Sequence, residues 1–210
     1  MDQASSGQSE RGLSRLDAFS DGVFAIAITL LVLDIKVPRG EHDLVAPLLA
    51  QWPAYVSYVV SFVIIGIWWA SHHGLLGTVE RSDHGLLLAN TLHLMCIAFL
   101  PFSTALLAEY LRESGEHLRT AAVVYVGTLL LAGLTFNLVW HQARRASLLR
   151  SSLSPPAVAR STRIFAASAL AYLIAFVLAF VVPIAALAIC VVIALLYGLP
   201  RGSGRARAAP

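Results

Sequence analysis

The sequence has 210 residues, of which 58% are hydrophobic and 13% charged, and its formal net charge is +3. A soluble domain carries about 25% charged residues, so this balance excludes an ordinary soluble enzyme or a nucleic-acid-binding protein. It describes a polytopic, all-α membrane domain whose first partner is the lipid bilayer. Cys96 and Cys190 both lie in apolar stretches and read as buried small hydrophobes rather than a disulfide framework. Fourteen of the fifteen basic residues are Arg, which points to a GC-rich bacterial gene.

Residues 1–14 (MDQASSGQSERGLS) are polar and are expected to form a disordered N-terminus. They lack the basic and apolar regions of a cleaved signal peptide. The first apolar helix is expected over 15–37, about 34 Å long, enough to cross a bilayer core, and it ends at Pro38. Its uncharged run between Asp21 and Asp34 spans only about 18 Å, which draws Asp21 inside the membrane. A carboxylate there is costly unless it is paired. On a helical wheel Ile26, Leu30 and Leu33 share one narrow stripe, with Thr29 on its flank. Asp21 lies about 140° away from Ile26. Ala18, Gly22, Ala25 and Ala27 would allow close approach of neighbouring helices.

A short loop from Arg39 to Gln51 carries Glu41, His42 and Asp43. With Asp34, Glu41 and Asp43 could concentrate cations at one mouth. Further helices are expected at about 53–73, 84–110, 118–140, 164–181 and 184–199. Pro53 suits a first helical turn, and Pro101 is expected to kink the 84–110 helix. The 36 apolar residues from Ile164 to Leu199 would make a single helix of about 54 Å, too long for one crossing. Two short spans meeting in a turn near Pro183 fit better. Residues 200–210 form a basic tail, expected to be disordered.

Six crossings place the N-terminus, the 74–83 loop, the Arg-rich 141–163 loop and the tail on one side. That side collects eleven of the fifteen basic residues, which makes it cytoplasmic by the positive-inside rule. In this topology Asp21, His72, His73, His84 and Asn90 lie at similar depth. Asp21 is therefore expected to accept hydrogen bonds from among Trp68, His73 and Asn90, with Arg15 and Ser20 in the same network. The neighbouring His72 and His73 point about 100° apart on a helix, and no H-x-x-H or H-x-x-x-H pair occurs. Neither a metal site nor a cofactor is expected. Phosphate-binding loops and nucleophile elbows are also missing from the sequence, so no catalytic residue is assigned.

Arg15, Phe19, Ser20, Asp21 and Ala25 spell R-x-x-x-F-S-D-x-x-x-A at the start of the first apolar helix. The segment resembles the transmembrane protein 175 family, the endolysosomal potassium channels and their prokaryotic relatives. The likeness is sharp over about the first 38 residues and looser through WWASHHGLL and LHLMCIAFLPFSTALL. It implies a potassium-preferring cation channel, a homotetramer with the first helix of each subunit around a shared axis, and potassium as the permeant ion. The chain, like the family's bacterial single-repeat form, has the length of one six-helix unit.

The sequence holds no TVGYG-like filter, so any constriction is made of side chains: Ile26, Thr29, Leu30 and Leu33. The expected function is passive potassium conduction in a bacterial plasma membrane, with both termini cytoplasmic and no other protein partner. Two alternatives stand beside it. One is a proton channel or proton-coupled transporter using Asp21 and His73, and the other is a non-conducting membrane scaffold.

Overall fold

The computed structural model describes residues 2–39 and 43–198. Seven α-helices occur among them: α1 (Asp2–Leu30), α2 (Val45–Ala50), α3 (Trp52–Leu76), α4 (His84–Tyr110), α5 (Glu116–Arg145), α6 (Pro155–Ala179) and α7 (Pro183–Gly198). A 3-10 turn, Leu31–Asp34, extends α1. Five stretches are long and apolar enough to cross a membrane, namely Gly12–Asp34, α3, α4, α5 and α6. The 16 residues of α7 span about 24 Å, short of a full hydrocarbon core. The all-helical membrane fold thus has five full-length spans and one shorter apolar helix.

Several boundaries differ from expectation. Helix α1 starts at Asp2 and so takes in most of the polar 1–14 segment. No proline precedes Pro38, and extending a helix that is already nucleated costs little. The 39–51 loop contains α2, whose first free N–H, that of Val45, is bonded by Asp43 Oδ1 at 3.0 Å. The expected start of the fifth span at 164 moves back to Pro155, so much of the Arg-rich loop is helix. Pro155 and Pro156 occupy the first turn, where a missing N–H costs nothing. Pro101 lies inside α4, which runs on through it to Tyr110. Glu41 and the 200–210 tail lie outside the described residues.

The chain turns are built from identifiable signals. Asp83 caps α4 by accepting from Leu86 N at 2.7 Å, and its other oxygen accepts from Gln142 Nε2 at 3.1 Å, tying the start of α4 to the end of α5. Gly115 precedes α5 with φ of 85°, a conformation that favours glycine. The α3–α4 and α5–α6 connections meet side by side through an antiparallel bridge of Val79 and Leu149. Glu80 N donates to Leu148 O and Arg150 N to Thr78 O there.

The core lies among α3, α4 and α5, where Ile65, Leu86, Ile97, Val126, Leu129 and Val139 are wholly buried. Ala122, Ala132, Ala143, Ala175 and Ala186 let backbones approach closely, the usual solution where lipid supplies no hydrophobic drive between helices. A chain of hydroxyls ties three helices together: Thr104 Oγ1 donates to Ser61 Oγ at 2.9 Å, and Ser61 Oγ lies 3.0 Å from Tyr125 Oη. α1 packs across α3 and α4 on one flank of this core, and α6 and α7 cover the other.

Candidate functional site

The two faces of α1 are treated differently. Leu16, Ser20, Phe24, Ala27 and Leu31 recur at helical spacing and are buried against α3 and α4. On the other side Phe19, Ile26, Leu30 and Leu33 are exposed by 58%, 61%, 41% and 67%. Ala25 and Thr29 are exposed between them. Thr29 Oγ1 donates to Ile26 O at 2.9 Å, which leaves its lone pairs facing outward. The four residues expected to line a constriction thus share the uncovered face of a single chain.

Polar side chains hold the buried face. Ser20 Oγ donates to Leu16 O at 2.8 Å and accepts from Asn90 Nδ2 at 3.0 Å. Asn90 Oδ1 lies 2.6 Å from His72 Nε2, so that ring nitrogen carries the donated proton. Ser20, Asn90 and His72 are all buried. His72 stacks on His93 with centroids 5.5 Å apart and planes 10° apart. Phe24 lies against both rings. His93 Nδ1 is 3.2 Å from Ala132 O, to which it donates, and His93 Nε2 is buried without a hydrogen-bond partner among the described residues.

A second polar group lies beside the first. Trp69 Nε1 donates to Asp21 Oδ1 at 2.8 Å, and His73 Nδ1 is 3.6 Å from Asp17 Oδ1. The pairings 21–69 and 17–73 run in opposite directions along the chain, so α1 and α3 are antiparallel here. Each pair is one helical turn from the next, and the two make successive rungs of a ladder.

The expected network is therefore corrected in four places. The donor to Asp21 is Trp69, not Trp68. Trp68 points about 100° away, into the core beside His93, Phe136 and Tyr172. Asn90 binds Ser20 rather than Asp21, and His73 faces Asp17. Arg15 is exposed and joins none of the ion pairs among the described residues. It lies six residues before Asp21, about 120° around the helix. Asp17, Trp69 and His93 were missed by sequence reasoning. The first two carried a signal: Asp17/Asp21 and Trp69/His73 are both i, i+4 pairs, spacing that places each pair on one helix face. His93 shows only as a lone polar residue in an apolar helix.

With this geometry in view, the comparisons are informative. The sequence model described as endosomal/lysosomal potassium channel TMEM175 matches residues 15–101, which include all of α1 beyond Ser14, all of α3 and most of α4. A Streptomyces collinus protein named as a potassium channel is 49% identical over 188 residues, covering 88% of this chain and 90% of the relative. The chain belongs to the TMEM175 family. The crystal structure titled as a lysosomal potassium-selective channel TMEM175 homolog from Chamaesiphon minutus superposes with a TM-score of 0.77 at 39% identity. It covers 89% of this chain and 96% of that one. Human TMEM175, named as an endosomal/lysosomal proton channel, is 34% identical over 143 residues, or 61% of this chain and 28% of the human protein. TMEM175 proteins are ion channels, not enzymes, and the F-S-D triplet at Phe19–Asp21 of this member falls where α1 is fastened to α3 and α4.

Proposed function

We propose that this protein is a passive, potassium-preferring cation channel, assembled as a homotetramer in a bacterial plasma membrane with both termini cytoplasmic. The observation that carries the reading is the uncovered apolar stripe on α1 opposite a face fixed by buried polar groups. Fastening Ser20 to Asn90 and Asp21 to Trp69 sets the rotation of α1. That rotation aims Ile26, Thr29, Leu30 and Leu33 away from the subunit's own core, toward a shared axis. Rings of these side chains form an apolar neck that closes by dewetting. Potassium sheds hydration water more cheaply than sodium, so such a neck penalises sodium more, and the Thr29 hydroxyls partly replace lost water. The potassium-channel name of the Streptomyces relative supports the choice of ion.

A second reading, proton conduction through Asp21 and His73, is favoured by the proximity of Asp17, Asp21 and His73 and by the name of the human relative. Flux from the purified protein in liposomes separates the readings, with potassium and sodium gradients set independently and a protonophore present or absent. Potassium flux that exceeds sodium flux and needs no proton movement supports the channel. Flux that follows the proton gradient and vanishes in Asp21→Asn supports the second reading. No flux in either wild type or Leu30→Ala leaves a scaffold.

A further inference from the structure

We infer that Asp17, Asp21 and His73 form a binding site for a divalent transition-metal ion of the Zn²⁺ type at the junction of α1 and α3. Each residue offers one ligand atom, and all three atoms lie within 4.8 Å of one another. The Asp17 Oδ1 to His73 Nδ1 separation of 3.6 Å is close to the edge of a tetrahedron with bonds of about 2.0–2.1 Å, which is about 3.4 Å. The third vertex needs a shift of up to about 1.4 Å, within reach of a carboxylate rotation.

Three further features point to a ligand. Asp17 Oδ1 is itself shielded from solvent, although the side chain is about one-third exposed, and among the described residues it has no hydrogen-bond partner, only His73 Nδ1 at 3.6 Å. A carboxylate oxygen in that state is costly unless something positive reaches it. Trp69 Nε1 holds Asp21 by one oxygen, the kind of supporting hydrogen bond that orients a ligating carboxylate. A recess of about 600 Å³ borders Asp17 and His73 and includes Glu80, Arg150, Ser151 and Ser152 in its wall. It gives an ion a route from solvent and room for water at an open coordination position.

The donor set selects the class of ion. Two carboxylates neutralise a divalent charge, and an imidazole favours Zn²⁺, Co²⁺ or Ni²⁺ over Mg²⁺ and Ca²⁺, which take oxygen. Glu80 offers a further acid nearby, while Arg150 keeps the recess from being uniformly negative. The linear sequence hides the site because its ligands come from two helices more than fifty residues apart. A bound ion ties α1 to α3 on the rungs already made by Trp69 and His73. If α1 lines the pore, metal binding then favours its present position, but the site itself does not depend on that reading.

The test uses the purified full-length protein in detergent, with Zn²⁺ titrated calorimetrically and Co²⁺ as an optical probe. Wild type is expected to take up one ion per chain, with Co²⁺ absorption bands of a nitrogen–oxygen site and quenching of Trp69 fluorescence that Trp69→Phe removes. Asp17→Asn and His73→Gln are each expected to weaken binding about tenfold or more. Asp17→Glu restores part of it, and His117→Gln, at the separate His117–Glu113 pair, leaves it unchanged. His73 is exposed, so His73→Gln tests the site even where an Asp17 variant fails to fold. Absence of stoichiometric uptake by wild type, or wild-type affinity in Asp17→Asn and His73→Gln, overturns the proposal. Neither result touches the flux measurement.

Discussion

The two sides of α1 have nearly the same apolar content and opposite fates. Phe24, Ala27 and Leu31 vanish into the subunit, whereas Ile26, Leu30 and Leu33 stay uncovered. Hydrophobicity does not separate them, since lipid is as apolar as a leucine core. What separates them is the polar set at Ser20, Asp21 and Asp17, which has partners on α3 and α4. In a membrane a few hydrogen bonds decide rotation, because the apolar residues have little preference between lipid and protein.

That contrast can be broken most strongly from the buried side. Phe24→Ala opens a void beside His72 and His93 and is expected to cost about 3 kcal/mol, read as a large drop in the unfolding midpoint of purified protein. Asn90→Leu strands the His72 Nε2–H and is expected to cost about 2 kcal/mol, because no water reaches it. An unchanged midpoint in Asn90→Leu would mean that the network does not hold α1. Trp69→Phe removes one hydrogen bond at a partly exposed carboxylate and is expected to cost about 1 kcal/mol, with hydrogen exchange rising in the first turns of the span. Leu30→Ala sharpens the comparison from the other side. Its stability is expected to stay within about 0.5 kcal/mol of wild type, while liposome flux rises and potassium preference falls.

Much of this was legible in the chain. The α4 bounds, His84 to Tyr110, agree with the apolar pattern because Asp83 is a strong cap and polar residues flank both ends. That Asp21 has a partner was legible because an acid in an apolar helix demands one. The identity of that partner was not. Trp68 and Trp69 differ by one position, and only the packing of α3 against α5 and α6 tells which indole turns inward. The extension of α1 to Asp2 and of α6 back to Pro155 was hidden for another reason. Polar composition marks where a helix leaves the membrane, not where it ends.

The placement of the α1 attachments has a mechanical consequence. Asp17–His73, Ser20–Asn90 and Asp21–Trp69 all fall within about 6 Å of helix axis. Beyond them α1 is held by apolar packing, and among the described residues the next hydrogen bond to another element is Lys36 N to Gln51 Oε1 past the helix end. The clamp lies near the middle of the rod that runs from Asp2 to Asp34, and the arm beyond it acts as a lever. Leu33 lies about 18 Å from the clamp and Ile26 about 7 Å, so a tilt of about 10° sweeps Leu33 through about 3 Å but Ile26 through only about 1 Å. Residues on one stripe thus have unequal reach, with Leu33 far from the fulcrum and Ile26 close to it.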